Sequence, residues 1–217
     1  MDWQALGERA ERRYRDGLAR LPAEGDARQK QLVRSANAAG AAGLCHAMRG
    51  QAAEAKVWHI RAAESYRQSW DDAPAGSWGR PIGAVKNRIL AGDWEGAAAD
   101  ARWALDEESA SSESPIGRYA ATLALLTLGA DEEAGSLAVG LRQEPDEAFP
   151  RPVAEALAGL AAHDRSLYGR AIRDVLASFE ARDAFLEDVP VADTVVVLEA
   201  IAEQRGLAVR PASPLLP

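Results

Sequence analysis

One cysteine, Cys45, among 217 residues leaves no partner for an internal disulfide and no set of thiolates for a metal. Long apolar runs are missing too. The longest, such as Leu123 to Leu128 and Val195 to Leu198, fall far short of the roughly 20 residues that cross a bilayer. Histidine is scarce, and none of His46, His59 and His163 has a histidine or carboxylate at i+3 or i+4 to complete a helical metal pair. Basic charge is in deficit: net charge is −8 with a pI near 5.0, which argues against a nucleic-acid backbone as partner. The deficit is uneven, because residues 1–40 hold eight basic and six acidic groups. Lysine is nearly absent, three against 22 arginines, a bias that with abundant alanine reflects a GC-rich genome and no chemistry. Met1-Asp2-Trp3-Gln4 opens no basic-then-apolar segment, so no secretory leader is expected and the expected location is cytoplasmic.

What the chain does have is punctuation. Pro81-Ile82-Gly83 and Pro115-Ile116-Gly117 lie 34 residues apart, and Pro152-Val153-Ala154 and Pro190-Val191-Ala192 follow at 37 and 38. Proline suits the first turn of a helix, where its missing N–H would have had no partner, so each is expected to open one. Ser114 is a good N-cap for the second. Asp93, Asp131 and Asp164 fall 12, 16 and 12 residues after the first three prolines. Asp is a preferred N-cap, and Gly92 and Gly129 suit the end of a preceding helix. The extra four residues predict a middle helix longer by one turn.

The unit is therefore helix, tight turn, helix, longer loop. A period of 34 to 38 residues in this form indicates a helical repeat array. Apolar stripes agree: Ile82, Val85, Ile89, Leu90; then Ile116, Tyr119, Leu123, Leu126; then Ile172, Val175, Leu176, Phe179. Leu44 to Arg49, Gly50, and Ala55 to Trp70 read as an earlier pair with longer helices. The Val195–Val197 run reads as helix from its context of Val191, Thr194, Leu198 and Ile201. The expected fold is all-α, one helical-repeat domain over residues 1–217. It comprises an N-terminal helix in 1–25, helix pairs in 26–206 and an apolar, proline-rich tail in 207–217.

Gly92-Asp93-Trp94-Glu95-Gly96-Ala97 with Ala104-Leu105 resembles the turn and second helix of tetratricopeptide repeats. Leu128-Gly129-Ala130-Asp131-Glu132-Glu133-Ala134 repeats that turn, and Gly50 with Ala55 and Ala62 echoes it. This resemblance implies a right-handed stack of antiparallel helix pairs. The small residue five places after each glycine is expected where the helices of a pair press closest. Over the whole chain, the length, the helical pattern and the ending Gly206-Leu207-Ala208-Val209 to Ser213-Pro214-Leu215-Leu216-Pro217 resemble the immunity protein 49 family of polymorphic toxin systems. That resemblance implies protection of the producer by binding a cognate toxin.

Candidate chemistry is thin. Cys45 and His46 are sequence neighbours and point about 100° apart on a helix, which disfavours a catalytic pair. Ala73-Pro74-Ala75-Gly76 has no following lysine and reads as a plain turn rather than a phosphate loop. No catalytic residue, cofactor or metal site is expected, and the chain reads as a binding protein rather than an enzyme. Trp58, Ala62, Tyr66 and Trp70 step by four and read as core. Trp94 and Trp103 fall on opposite sides of their helix. The connector from Trp70 to Arg80 mixes aromatic, acidic and guanidinium groups, the types that carry interfaces. Candidate partner-binding residues are Trp70, Asp71, Asp72, Trp78, Arg80, Trp103, Asp106, Glu107 and Glu108. Acidic clusters at 106–108, 131–133, 144–147 and 187–188 would steer a basic protein partner if gathered on one side. The alternatives are a scaffold or adaptor subunit of an oligomeric assembly, and a small-ligand receptor or enzyme with a tryptophan-lined pocket.

Overall fold

The computed structural model describes all 217 residues and contains ten α-helices and no strand. They are α1 (Trp3–Ala19), α2 (Gly25–Met48), α3 (Ala52–Gln68), α4 (Gly79–Leu90), α5 (Trp94–Asp106), α6 (Pro115–Leu128), α7 (Asp131–Leu141), α8 (Arg151–Ala161), α9 (Arg165–Glu180) and α10 (Asp193–Gln204). From α2 to α9 each helix packs on the next, and turns of two or three residues close four antiparallel pairs. The all-α helical-repeat fold is the one the sequence predicts. No helix is long and apolar enough to cross a membrane.

Every even-numbered helix stops in the same way. Gly50, Gly92, Gly129, His163 and Gly206 all have a left-handed backbone, with φ between 51° and 77°. In each case the next residue's N–H reaches back five residues at 2.9 Å, for example Asp93 to Arg88 and Asp164 to Gly159. This is the Schellman closure, which satisfies carbonyls that a helix end leaves without partners. Glycine adopts such a φ without steric cost; His163 does so with a side chain. The small residue five places after a glycine does sit at the tight helix contact: Ala97 and Ala134 are fully buried and Ala55 nearly so.

The helix starts follow the sequence less closely. Asp93 caps α5 by accepting from the Gly96 N–H at 3.0 Å, and Asp164 caps α9 through the N–H groups of Ser166 and Leu167. Ser114 caps α6. Asp131 does not cap α7; it is that helix's first residue, behind Ala130. Its carboxylate instead takes the Arg205 guanidinium and His163 Nε2, the latter at 2.8 Å. Burial works against the Asp131 charge, but these two donors hold its pKa below the usual carboxylate value. Among the prolines, Pro115 opens its helix, Pro152 is second, Pro81 third, and Pro190 lies before α10 altogether. Any of the first-turn places is tolerated, since none needs the N–H. The α6 helix therefore has 14 residues against 12 and 11 in α4 and α8, an excess of two or three residues rather than a full turn.

The pairing ends at α9. The next segment, residues 181–192, crosses back to α2, and α10 packs against α4, α8 and α9. The inner face of the array, formed by α4, α6 and α8, is thus covered by the chain's own C-terminal helix. Val195, Val197, Leu198 and Ile201 on α10 are at most 1% exposed. At about 1.5–3 kcal/mol per buried aliphatic side chain, removing α10 would forfeit roughly 6–12 kcal/mol, comparable with the whole stability of a domain. This helix is core, not a removable plug. The tail is docked as well: the Ala192 N–H donates to the Leu215 carbonyl at 2.9 Å, and Glu199 accepts from the backbone N–H groups of Val209 and Arg210.

Candidate functional site

Alternating helix direction gives the array two edges. The turns 49–51, 91–93, 129–130 and 162–164 lie on one; the connectors 69–78, 107–114, 142–150 and 181–192 lie on the other. The four long connectors hold eleven Asp and Glu against two Arg, whereas the four tight turns hold two Asp and one Arg. Seven of the eleven form no ion pair, and of these Asp71, Asp72, Glu108, Glu113, Glu147 and Asp183 are exposed.

The nine residues singled out from the sequence all fall on this long-loop edge, because the α3–α4 connector folds against the end of α5. Trp70 is at the centre. Its ring centroid is 5.8 Å from that of Trp78 and 5.6 Å from that of Trp103, the second pair perpendicular. Arg67 lies 4.0 Å over the Trp103 ring, and the Trp103 indole N–H donates to Glu107 at 3.0 Å. Trp78 can reach α6 because Gly117 has no side chain; a Cβ there would stand 2.8 Å from the indole nitrogen. Beneath the rings, Asp100 bridges Arg88 at 3.2 Å and Arg67 at 3.6 Å. Burial raises the Asp100 pKa, with the two arginines opposing it.

This geometry divides the nine. Trp103 is 7% exposed and packs as core, so it offers no contact area. Trp70 and Trp78 are half-buried. Arg80 turns inward to Gln29, and burial lowers its pKa. Asp72 accepts from the Gly25 N–H at 3.1 Å and so fixes the connector to the start of α2. Asp71, Asp72, Asp106 and Glu108 face solvent, and Glu107 does so in part. Trp58, Ala62, Tyr66 and Trp70 do share a face, with Trp58 and Ala62 buried in the N-terminal cluster. Of the stripe residues, Ile116 is the exception, at 41% exposed.

A second constellation lies away from the tryptophans. Under the segment 181–192, between α2, α3 and α4, is a cavity of about 250 Å³, and no tryptophan lines it. Lys86 enters it from α4, its ammonium 2.6 Å from Asp193 and 3.1 Å from Thr194 Oγ1 on α10. Burial works against the lysine charge, yet Asp193 raises its pKa overall. His59 Nδ1 is 2.8 Å from Asn87 Oδ1, and Asn87 donates to the Gly83 carbonyl. The Asn87 carbonyl therefore accepts from the imidazole Nδ1–H, and burial drives the His59 pKa down to about 4 despite that bond. Tyr66 Oη donates to Asn37 at 2.5 Å. Apart from Tyr66, which reads as part of the Trp58–Trp70 stripe, none of these residues carries a spacing signal. They come from four helices, and only the apolar stripe around Lys86 hints that a lysine is buried there.

Cys45 is fully buried against Gly7, and burial raises its thiol pKa to about 11. The neighbouring His46 places its ring nitrogens 2.9 Å from Glu11 and 2.8 Å from Gln51. Compared with protein-family models, curated proteins and solved structures, the chain matches none of them.

Proposed function

We propose that the chain is a protein-binding helical-repeat module, and that it neutralises a basic protein as an immunity protein does a cognate toxin. The observation that carries this reading is the acidic long-loop edge. Six exposed carboxylates there have no cation of their own, while the inner face is filled by α10. A row of like charges is costly to an isolated fold and useful for steering an oppositely charged partner. Trp70 and Trp78 supply half-buried aromatic surface in the first connector of that row, the side-chain type enriched at interfaces.

Co-expression with proteins encoded beside the gene tests the proposal. The expected result is a stable heterodimer, growth protection, and an association rate that falls steeply with added salt. Reversing Asp71, Glu108 and Glu113 to lysine should slow association about tenfold or more, by the scale of electrostatic steering, with melting unchanged. A failure to form any complex or give protection would sink the reading. An isolated chain that runs far above 23.1 kDa in light scattering would favour the scaffold alternative instead.

A further inference from the structure

The cavity beneath residues 181–192 has the size, chemistry and cover of a ligand site, and it needs no protein partner. A dry protein cavity of about 150 Å³ accepts benzene, so about 250 Å³ has room for roughly ten non-hydrogen atoms by proportion. One wall is apolar, formed by Leu44, Ile82, Leu90, Phe179, Phe185 and Val189. The other end is rich in hydrogen-bond donors that the protein leaves unused. Lys86 gives two N–H groups to Asp193 and Thr194 and keeps a third. The Asn37 carbonyl is taken by Tyr66, while its amide NH₂ has no protein acceptor. Arg182 has no carboxylate partner and rests on the Phe179 ring, 3.7 Å from its centroid.

The two carboxylates of the lining each already have a cation. Asp193 serves Lys86, and Glu187 serves Arg13 at 2.6 Å from the far side. Within the lining Lys86 and Arg182 balance Asp193 and Glu187, but Glu187 is matched from outside by Arg13, so the Arg182 guanidinium is left without a counterion. We propose that this cavity binds a small organic monocarboxylate with an apolar body. Its carboxylate is held by Lys86, Asn37 and Arg182, and its body lies against Phe179, Phe185 and Leu90.

Only the first half of the cover is free to move, because Val189 and Val191, each 3% exposed, anchor its far end in the N-terminal cluster. Residues 181–184 are exposed and Leu186 is 68% exposed, so little apolar burial beyond Phe185 holds them. What holds them is a clasp to α1: Arg9 donates to the Glu187 carbonyl at 2.9 Å and pairs with Asp188 at 3.2 Å, beside the Arg13–Glu187 pair. Glu187 and Asp188 both stand at φ 58°, a left-handed pair without glycine, which stores strain that opening would release.

The test titrates the full chain with 3-phenylpropionate and, separately, with its neutral amide, read by calorimetry and by amide chemical shifts of residues 181–189. The acid should bind saturably with a dissociation constant below about 1 mM, and the amide at least about tenfold more weakly. Arg182→Gln changes an exposed side chain and leaves the fold intact; it should weaken the acid about tenfold and leave the amide unchanged. Lys86→Met should abolish binding of the acid, and Arg9→Ala with Arg13→Ala should speed its release. Shifts that never saturate, equal affinity for acid and amide, or an Arg182→Gln protein that binds as before would each overturn the proposal.

Discussion

The two edges of the array are made by the same helices and share almost nothing else. Along the tight-turn edge, five helix ends repeat one hydrogen-bond closure, and Arg205 ties three of the elements there through Asp131 and the Leu126 carbonyl. Connectors on that edge are two or three residues long and carry little charge. Along the other edge connectors run from eight to twelve residues, no two alike, with seven unpaired acidic groups and the tryptophan trio. The repeat plan dictates the first edge and leaves the second free. Long connectors held by a rigid scaffold are where binding residues collect. On the proposed reading, the partner docks on the side that repetition does not explain.

The comparison breaks first at Trp103. If the long-loop edge were mere decoration, trimming it would cost little. Yet this side chain is 7% exposed, packed on Trp70 and under Arg67. Trp103→Ala should therefore lower unfolding stability by about 3–5 kcal/mol in urea titrations. Trp103→Phe, which keeps a ring and loses the Glu107 bond, should cost about 1 kcal/mol. A loss below 1 kcal/mol for the alanine variant would mean the edge is not part of the folded core.

How legible each edge was follows from the same contrast. Gly50, Gly92 and Gly129 are local signals: a left-handed residue is needed at that place, and one amino acid meets the need cheaply. His163 fills the fourth such turn without glycine; its place beside the Asp164 cap marks a helix end, but its residue type gives no sign of the left-handed backbone. Asp131 reads as a cap like Asp93 and Asp164 because the sequence shows the residue type but not Arg205, 74 residues on, that claims its carboxylate. Alternating helices bring Trp70, Trp78, Trp103 and the acids of 106–108, 144–147 and 187–188 to the long-loop edge, whereas the 131–133 cluster and Trp94 open helices on the tight-turn edge, so the acids are not gathered on one side. The sequence offered Trp103 and Arg80 as contact surface because burial depends on neighbours from α3 and α2. The cavity was missed altogether. Its lining comes from a chain reversal after α9 that no periodic pattern announces.

A proton can ask whether the two edges belong to one cooperative unit. His59 sits midway along α3 and joins it to α4 through Asn87, far from either end. Its folded pKa, about 4, is depressed from an unfolded value of 6.5, so it is neutral in the fold. The stability it contributes is complete above pH 6.5 and is lost as pH falls through 4, by up to about 3 kcal/mol over that window. Urea midpoints at pH 7 and 4.5 should differ accordingly, with tryptophan fluorescence and helix content moving together. In His59→Gln the same pH step should cost much less. Separate fluorescence and helix transitions at pH 4.5 would show that the long-loop edge melts on its own.

The finest test sets two residues of the tight-turn edge against each other. Gly129 has φ 77° and nothing near its Cα that a methyl group would meet, so Gly129→Ala probes backbone conformation alone. It should destabilise by about 1 kcal/mol, the left-handed cost less the entropy removed from the unfolded chain. His163 carries the opposite arrangement, a side chain at φ 51° whose bond to Asp131 is 55% exposed on the histidine side and therefore worth little. His163→Gly removes the strain and should stabilise by a few tenths of a kcal/mol, net of the added freedom of glycine when unfolded. Opposite signs, measured by denaturant midpoints, follow only if both turns use one closure. A destabilised His163→Gly protein would mean instead that His163 is kept for its hold on Asp131, and that this edge too carries more than the repeat requires.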